Sequence, residues 1–164
     1  MKKLSLFLIL IISASVTGCS AGGSIKQIVE PSIPLKSFNY MQIKVKLAYP
    51  DVVENNKERA MLQKLILEKI RAADPLKISD KGKLKLDVTI TEIKKVNQTE
   101  RVLLGALAGK ARIKAVVNVS ASDSGKMINQ FEVEGTSSGG SIFAGTTEQA
   151  VDMTAEFIVK AIVN

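Results

Sequence analysis

The 164-residue chain has no histidine, no tryptophan and a single cysteine, and it carries only two tyrosines, five phenylalanines and four prolines. Without histidine it lacks the side chain best suited to proton transfer near neutral pH, which is also the commonest transition-metal ligand. One cysteine cannot close an internal disulfide or build a cysteine-rich zinc site. No pair of carboxylates sits in a recognisable active-site setting, so the sequence predicts no catalytic residue, no cofactor and no metal. The scarcity of aromatics removes a base-stacking surface, and nucleic acid is not expected as a partner. No apolar run reaches the roughly 20 residues that a spanning helix needs.

What is present begins at the N-terminus. Lys2 and Lys3, an apolar run over residues 6–12 and a small-residue tail make a bacterial secretory signal. Val16, Thr17, Gly18 and Cys19 close it. This quartet resembles the lipobox of bacterial lipoproteins, which implies diacylglycerol on Cys19, cleavage before it and acylation of the new amine. Three acyl chains, at about 0.8 kcal/mol per buried methylene, would hold the chain permanently. Ser20, where inner-membrane retention would favour Asp, implies the outer membrane. The sequence therefore divides into a signal peptide at 1–18, an acylated cysteine and flexible tether at 19–36, and a periplasmic domain at 37–164. The partners expected are the membrane, through Cys19, and an envelope protein.

Two strings imitate catalytic motifs. Residues 18–22 spell G-x-S-x-G, but they straddle the cleavage site, follow no strand and have no histidine to pair with. Residues 105–111, GALAGKA, are one residue short of a phosphate loop between the glycines and end in alanine where a magnesium-binding hydroxyl belongs. The formal charge is +7, and without Lys2 and Lys3 the 21 remaining basic residues face 16 acidic ones, leaving +5. That balance fits attraction to an anionic surface or partner, and equally a domain kept soluble by lysine.

The domain reads as β-α-β-β-β-α. Residues 38–47 alternate, with Met41, Ile43, Val45 and Leu47 on one side and Tyr40, Gln42, Lys44 and Lys46 on the other. Residues 55–73 have helical spacing through Leu62, Leu65, Ile66, Ile70 and Ala73. Residues 83–93 alternate almost without fault, 111–122 form a further strand, and the 123–126 turn leads into a fourth at 127–136 with Phe131 and Val133 inward. Thr146 and Gln149 predict a capping box for a last helix whose buried face holds Ala150, Met153, Thr154, Phe157, Ile158, Ala161 and Ile162. The expected fold class is α/β (α+β): one two-layer sandwich with a mixed four-stranded sheet and both helices on one face. The first two strands are expected to be parallel, and the last three an antiparallel meander.

The segment from Leu103 to Lys110, the turn Asp123 to Lys126, the stretch Glu134 to Gly140 and the terminal helix together resemble the bacterial lipoprotein family called domain of unknown function 4410. More distantly, the order of elements is similar to the α/β domain of the TolB N-terminal region, LpoB and CsgG. These resemblances imply protein interaction in the periplasm rather than catalysis.

The function expected is that of a non-enzymatic, lipid-anchored envelope lipoprotein that binds another protein or supports an envelope assembly. The helix-free sheet face is the expected surface, with Lys44, Lys46, Lys83, Lys85, Arg112 and Lys114 clustered and Glu132 and Glu134 marking its acidic side; a merely solvated face is the alternative. A second expectation is a small-ligand or anion site built from Gly105, Gly109, Gly139 and Gly140 near the last helix's N-terminus; ordinary loop chemistry is its alternative. A subunit of a secretion or pore assembly is a third expectation, for which the strand count leaves no spare membrane hairpins.

Overall fold

A computed structural model describes residues 20–31, 33–48, 55–96, 109–139 and 145–163. The lipobox therefore lies outside the described residues. Seven principal elements follow one another: β1 (Gly22–Val29), β2 (Tyr40–Leu47), α1 (Asn56–Ala73), β3 (Leu84–Lys94), β4 (Arg112–Ala121), β5 (Met127–Thr136) and α2 (Thr147–Val163), with 3-10 turns at Leu35–Ser37 and Pro75–Lys77.

The sheet has five strands in the order β1-β5-β4-β3-β2. β2 and β3 are parallel, while β3, β4 and β5 form the antiparallel meander. The fifth strand corrects the sequence reading, which placed residues 22–29 in a tether. β1 instead pairs antiparallel with β5, from Gly22 opposite Thr136 to Val29 opposite Gln130. Its Gln27 side chain also donates to Asn129 of β5. One glycine is required at this edge: a Cβ on Gly23 would come within 2.6 Å of the Phe157 ring and 2.3 Å of the Glu134 carbonyl oxygen. Gly23, half of the Gly-Gly pair that suggested a loose linker, is what lets the strand lie beneath Phe157 of α2, whereas a Cβ on Gly22 would meet nothing within 4 Å.

One sheet face is apolar and buried under the helices. Leu84, Leu86, Val88 and Ile90 of β3 alternate inward as expected, as do Ile113, Ala115, Val117 and Val119 of β4 and Phe131 and Val133 of β5. α1 contributes Leu62, Ile66 and Ile70, but Ala73, expected in the core, is exposed at the helix end. In α2 the fully buried set is Ala150, Val151, Thr154, Ala155, Ile158, Val159 and Ile162. Met153, Phe157 and Ala161 are half-buried, because α2 packs on α1 as well as on the sheet and its sealed stripe turns toward both. The closest approach is at Gly135, where a Cβ would meet Thr154 Oγ1 at 2.3 Å and the Ala150 carbonyl oxygen at 2.6 Å. Thr154 Oγ1 itself donates to that carbonyl at 2.8 Å.

Tyr40 departs from the expected alternation. It is fully buried and its hydroxyl donates to the Ile162 carbonyl at 2.8 Å. A register shift between Tyr40 and Gln42 inserts one extra residue, so Tyr40 sits beside Leu84 on the core side while Ile43 still faces Leu86. Burial pushes the Tyr40 hydroxyl well above the usual phenol range.

Candidate interaction surface

Among the described residues, no helix lies on the second face of the sheet. Because side chains alternate along each strand, the residues skipped by the core line up across it in rows. Lys44, Asp87, Asn118 and Gln130 form one row, and Thr89, Val116, Glu132 and Lys26 the next, with Lys46 opposite Thr89 at the β2 edge. Glu92, Lys114, Glu134 and Ser24 form a third, and Lys94, Arg112, Thr136 and Gly22 close the end of the sheet.

The charges in these rows are interleaved. Arg112 lies 2.9 Å from Glu92, and Lys114 lies 3.3 Å from Glu92 and 3.8 Å from Glu134. Lys85 pairs with Asp87 at 3.0 Å and Lys26 with Glu132 at 3.9 Å. Partial desolvation pushes Glu92 up, but the hydrogen bonds and charges of Lys114 and Arg112 outweigh it and hold the carboxyl below its ordinary range. A shallow depression of about 240 Å³ sits among Ser24, Lys26, Thr91, Lys114, Glu132 and Glu134.

Of the six basic residues singled out in the sequence, Lys85, Arg112 and Lys114 are thus bound to carboxylates. Lys44 and Lys46 are exposed on edge strand β2, and Lys83 is exposed just before β3, at the opposite end of the face from Arg112. Among the described residues these three form no ion pair. The face is a lattice of both signs, and its cations are spread over its whole length. Sequence reading did not include Glu92, the acid that joins Arg112 and Lys114, because its partnership depends on a register shift between Ile90 and Glu92.

Of the loop glycines, Gly105 and Gly140 lie outside the described residues. Gly109 has φ of +79° and Gly139 packs against Lys110, whose Cε would be 3.1 Å from a Cβ there, so the ends of the two loops do meet. Their polar groups are already engaged. Ser137 Oγ accepts from the Ala111 amide at 3.0 Å, and Thr146 Oγ1 accepts from the Gln149 amide at 3.2 Å. Only this half of the capping box forms: Gln149 Oε1 accepts instead from the Ser138 amide and hydroxyl, both at 3.0 Å. The same end of the molecule buries Glu58, which sequence reading also missed; Lys95 lies 3.0 Å from its Oε1.

Among the described residues there is no cluster of three potential metal ligands. No helix among them is long and apolar enough to cross a membrane.

Residues 43–141 match a family model described as Domain of unknown function (DUF4410). No curated protein sequence matches the chain. Two crystal forms of the PelC dodecamer from Paraburkholderia phytofirmans, one of them a point variant, are similar in structure. Each has a TM-score of 0.54 and 12% identity and covers 87% of this chain; the match spans 98% of one PelC chain and 99% of the other. At that identity the likeness shows a shared fold.

Proposed function

The chain belongs to the DUF4410 family, and from that premise we propose that it is a lipid-anchored lipoprotein of the bacterial envelope whose domain is a non-enzymatic protein-interaction module. The observation that carries this reading is the open sheet face. Five strands present rows to solvent in which charges of both signs are interspersed with neutral residues, the Glu92, Lys114 and Glu134 row alternating in sign, and neither helix covers them. Such a lattice suits recognition of a partner by charge pattern, where an alternating arrangement sets register and rejects partners of the wrong order. The lipobox at residues 16–19 supplies the address, with the outer membrane indicated by Ser20 and the domain in the periplasm.

Two experiments test it. Mass analysis of the first mature residue and fractionation of a Cys19→Ala variant examine the anchor; an unacylated parent that fractionates like the variant would end the lipoprotein reading. Photo-crosslinkers at Lys46, Val116 and Glu132, compared with one on α1 at Arg71, examine the face. Adducts to a discrete envelope protein from the sheet positions alone are expected, and adducts from Arg71 alone would reject the surface.

A second reading, a self-assembling subunit, is favoured by the fold shared with a dodecamer over most of both chains and by the two sheet edges, β1 and β2, which are unpaired among the described residues. Edges left open invite head-to-tail contact between copies, which closes into rings when the rotation permits. Native mass spectrometry of the intact protein discriminates it: a single high-order species supports assembly, and a monomer at micromolar concentration opposes it.

A further inference from the structure

The register of the sheet fixes which end of the domain is nearest the N-terminus. β1 begins at Gly22, and Gly22 stands in the terminal row with Thr136, Arg112 and Lys94. Only Ser20 and Ala21 separate Gly22 from Cys19, so the two α-carbons are at most about 11 Å apart. The opposite end, with the 122–125 turn, lies roughly 30 Å away along a ten-residue strand.

Among the described residues, the charges at the near end are unequal. Its described carboxylates each have a cation: Glu92 has Arg112 at 2.9 Å, Glu58 has Lys95 at 3.0 Å and Glu148 has Lys57 at 3.0 Å. Lys94 and Lys110 are exposed and form no ion pair among the described residues. They flank one corner, for the Lys94 ammonium is 3.9 Å from where a Cβ on Gly109 would sit, and Lys110 covers Gly139. Both helices also start at this end, at Asn56 and Thr147, so their dipoles add positive potential there.

We propose that this end of the sheet, through Lys94 and Lys110, lies against the anionic headgroups of the leaflet that holds the anchor. The inference rests on the lipoprotein reading and deepens it: a two-residue spacer leaves the domain no freedom to stand off, and the unmatched lysines meet phosphate where the spacer sets them down. The sheet then stands upright on the membrane, with the charged face turned sideways and the far turn outermost.

Acylated protein extracted from cells, its first-residue mass verified, is reconstituted in vesicles of phosphatidylethanolamine and phosphatidylglycerol containing brominated acyl chains. Because lipid blocks Cys19, a fluorophore can be attached through Lys110→Cys or Ser124→Cys alone. Severalfold stronger quenching at 110 than at 124 is expected; equal or reversed quenching overturns the orientation while leaving the verified anchor intact. Independently, residues 20–164, which contain every described element, are sedimented with phosphatidylglycerol vesicles. Lys94→Gln and Lys110→Gln should each lower partitioning about fivefold, with unchanged urea midpoints, whereas Lys81→Gln and Lys83→Gln should not. A greater loss from the latter pair overturns the proposal. An absent acyl mass would remove the anchor and leave the vesicle assay to judge the surface.

Discussion

Neighbouring residues on a single strand meet opposite environments. On β3, Leu86 and Val88 are sealed under the helices, while Asp87 between them lies on the wet face beside Lys85. On β4, Val117 is sealed and Asn118 accepts from the Gln130 amide at 2.8 Å in partial contact with water. The first environment stabilises by removing apolar area from solvent, roughly 25 cal/mol per Å². The second gains little, because exposed ion pairs contribute between about 0 and 1 kcal/mol each. The packed face holds the fold together, and the charged face contributes little to it.

That contrast can be broken from its strong side first. Leu86→Ala leaves a cavity in the centre of the sheet and should lower unfolding free energy by about 3 to 5 kcal/mol, measured by urea titration at constant m-value. Gly135→Ala attacks the same layer by overfilling. Its Cβ would press on backbone and side chain of α2 at 2.3 to 2.6 Å, and a loss of roughly 2 to 3 kcal/mol is expected. Tyr40→Phe keeps the ring but leaves the Ile162 carbonyl without its donor, for about 1 kcal/mol.

The charged face should answer weakly. Glu92→Gln is expected to cost less than about 1 kcal/mol at neutral pH. Its sign against pH is definite: the folded-state carboxyl is held below its ordinary value of 4.5, so its contribution is present above that value and fades as pH falls through the lowered one. The gap between wild type and variant should therefore be constant above about pH 6 and close in acid. Raising salt should shrink it too. A large, salt-insensitive gap would mean that the two faces are not distinct in the way described.

How much of this was legible in the sequence differs by element. β3 could be read outright, since each apolar residue from Leu84 to Ile90 meets the core and each polar one between meets water. β1 could not, because its eight residues are mostly exposed and its glycines resemble a linker until Phe157 of α2 is placed over Gly23. An edge strand buries little, so it leaves a weak pattern, and only its β-branched Ile25, Ile28 and Val29 hinted at extended backbone. Tyr40 was hidden by a single-residue shift, which reverses inside and outside. Five of the six basic residues of the candidate surface were found on the correct strands, Lys83 lying just ahead of β3, but their pairing was not, because partners across strands depend on register.

The pairing of β1 with β5 carries a temporal consequence. Val29 waits for Gln130, about a hundred residues later in the chain, an interval on the order of ten seconds at bacterial synthesis rates. Until then the first strand has no mate. The edge it builds is thus among the last parts of the sheet to close, and it shuts only when the last third of the chain arrives.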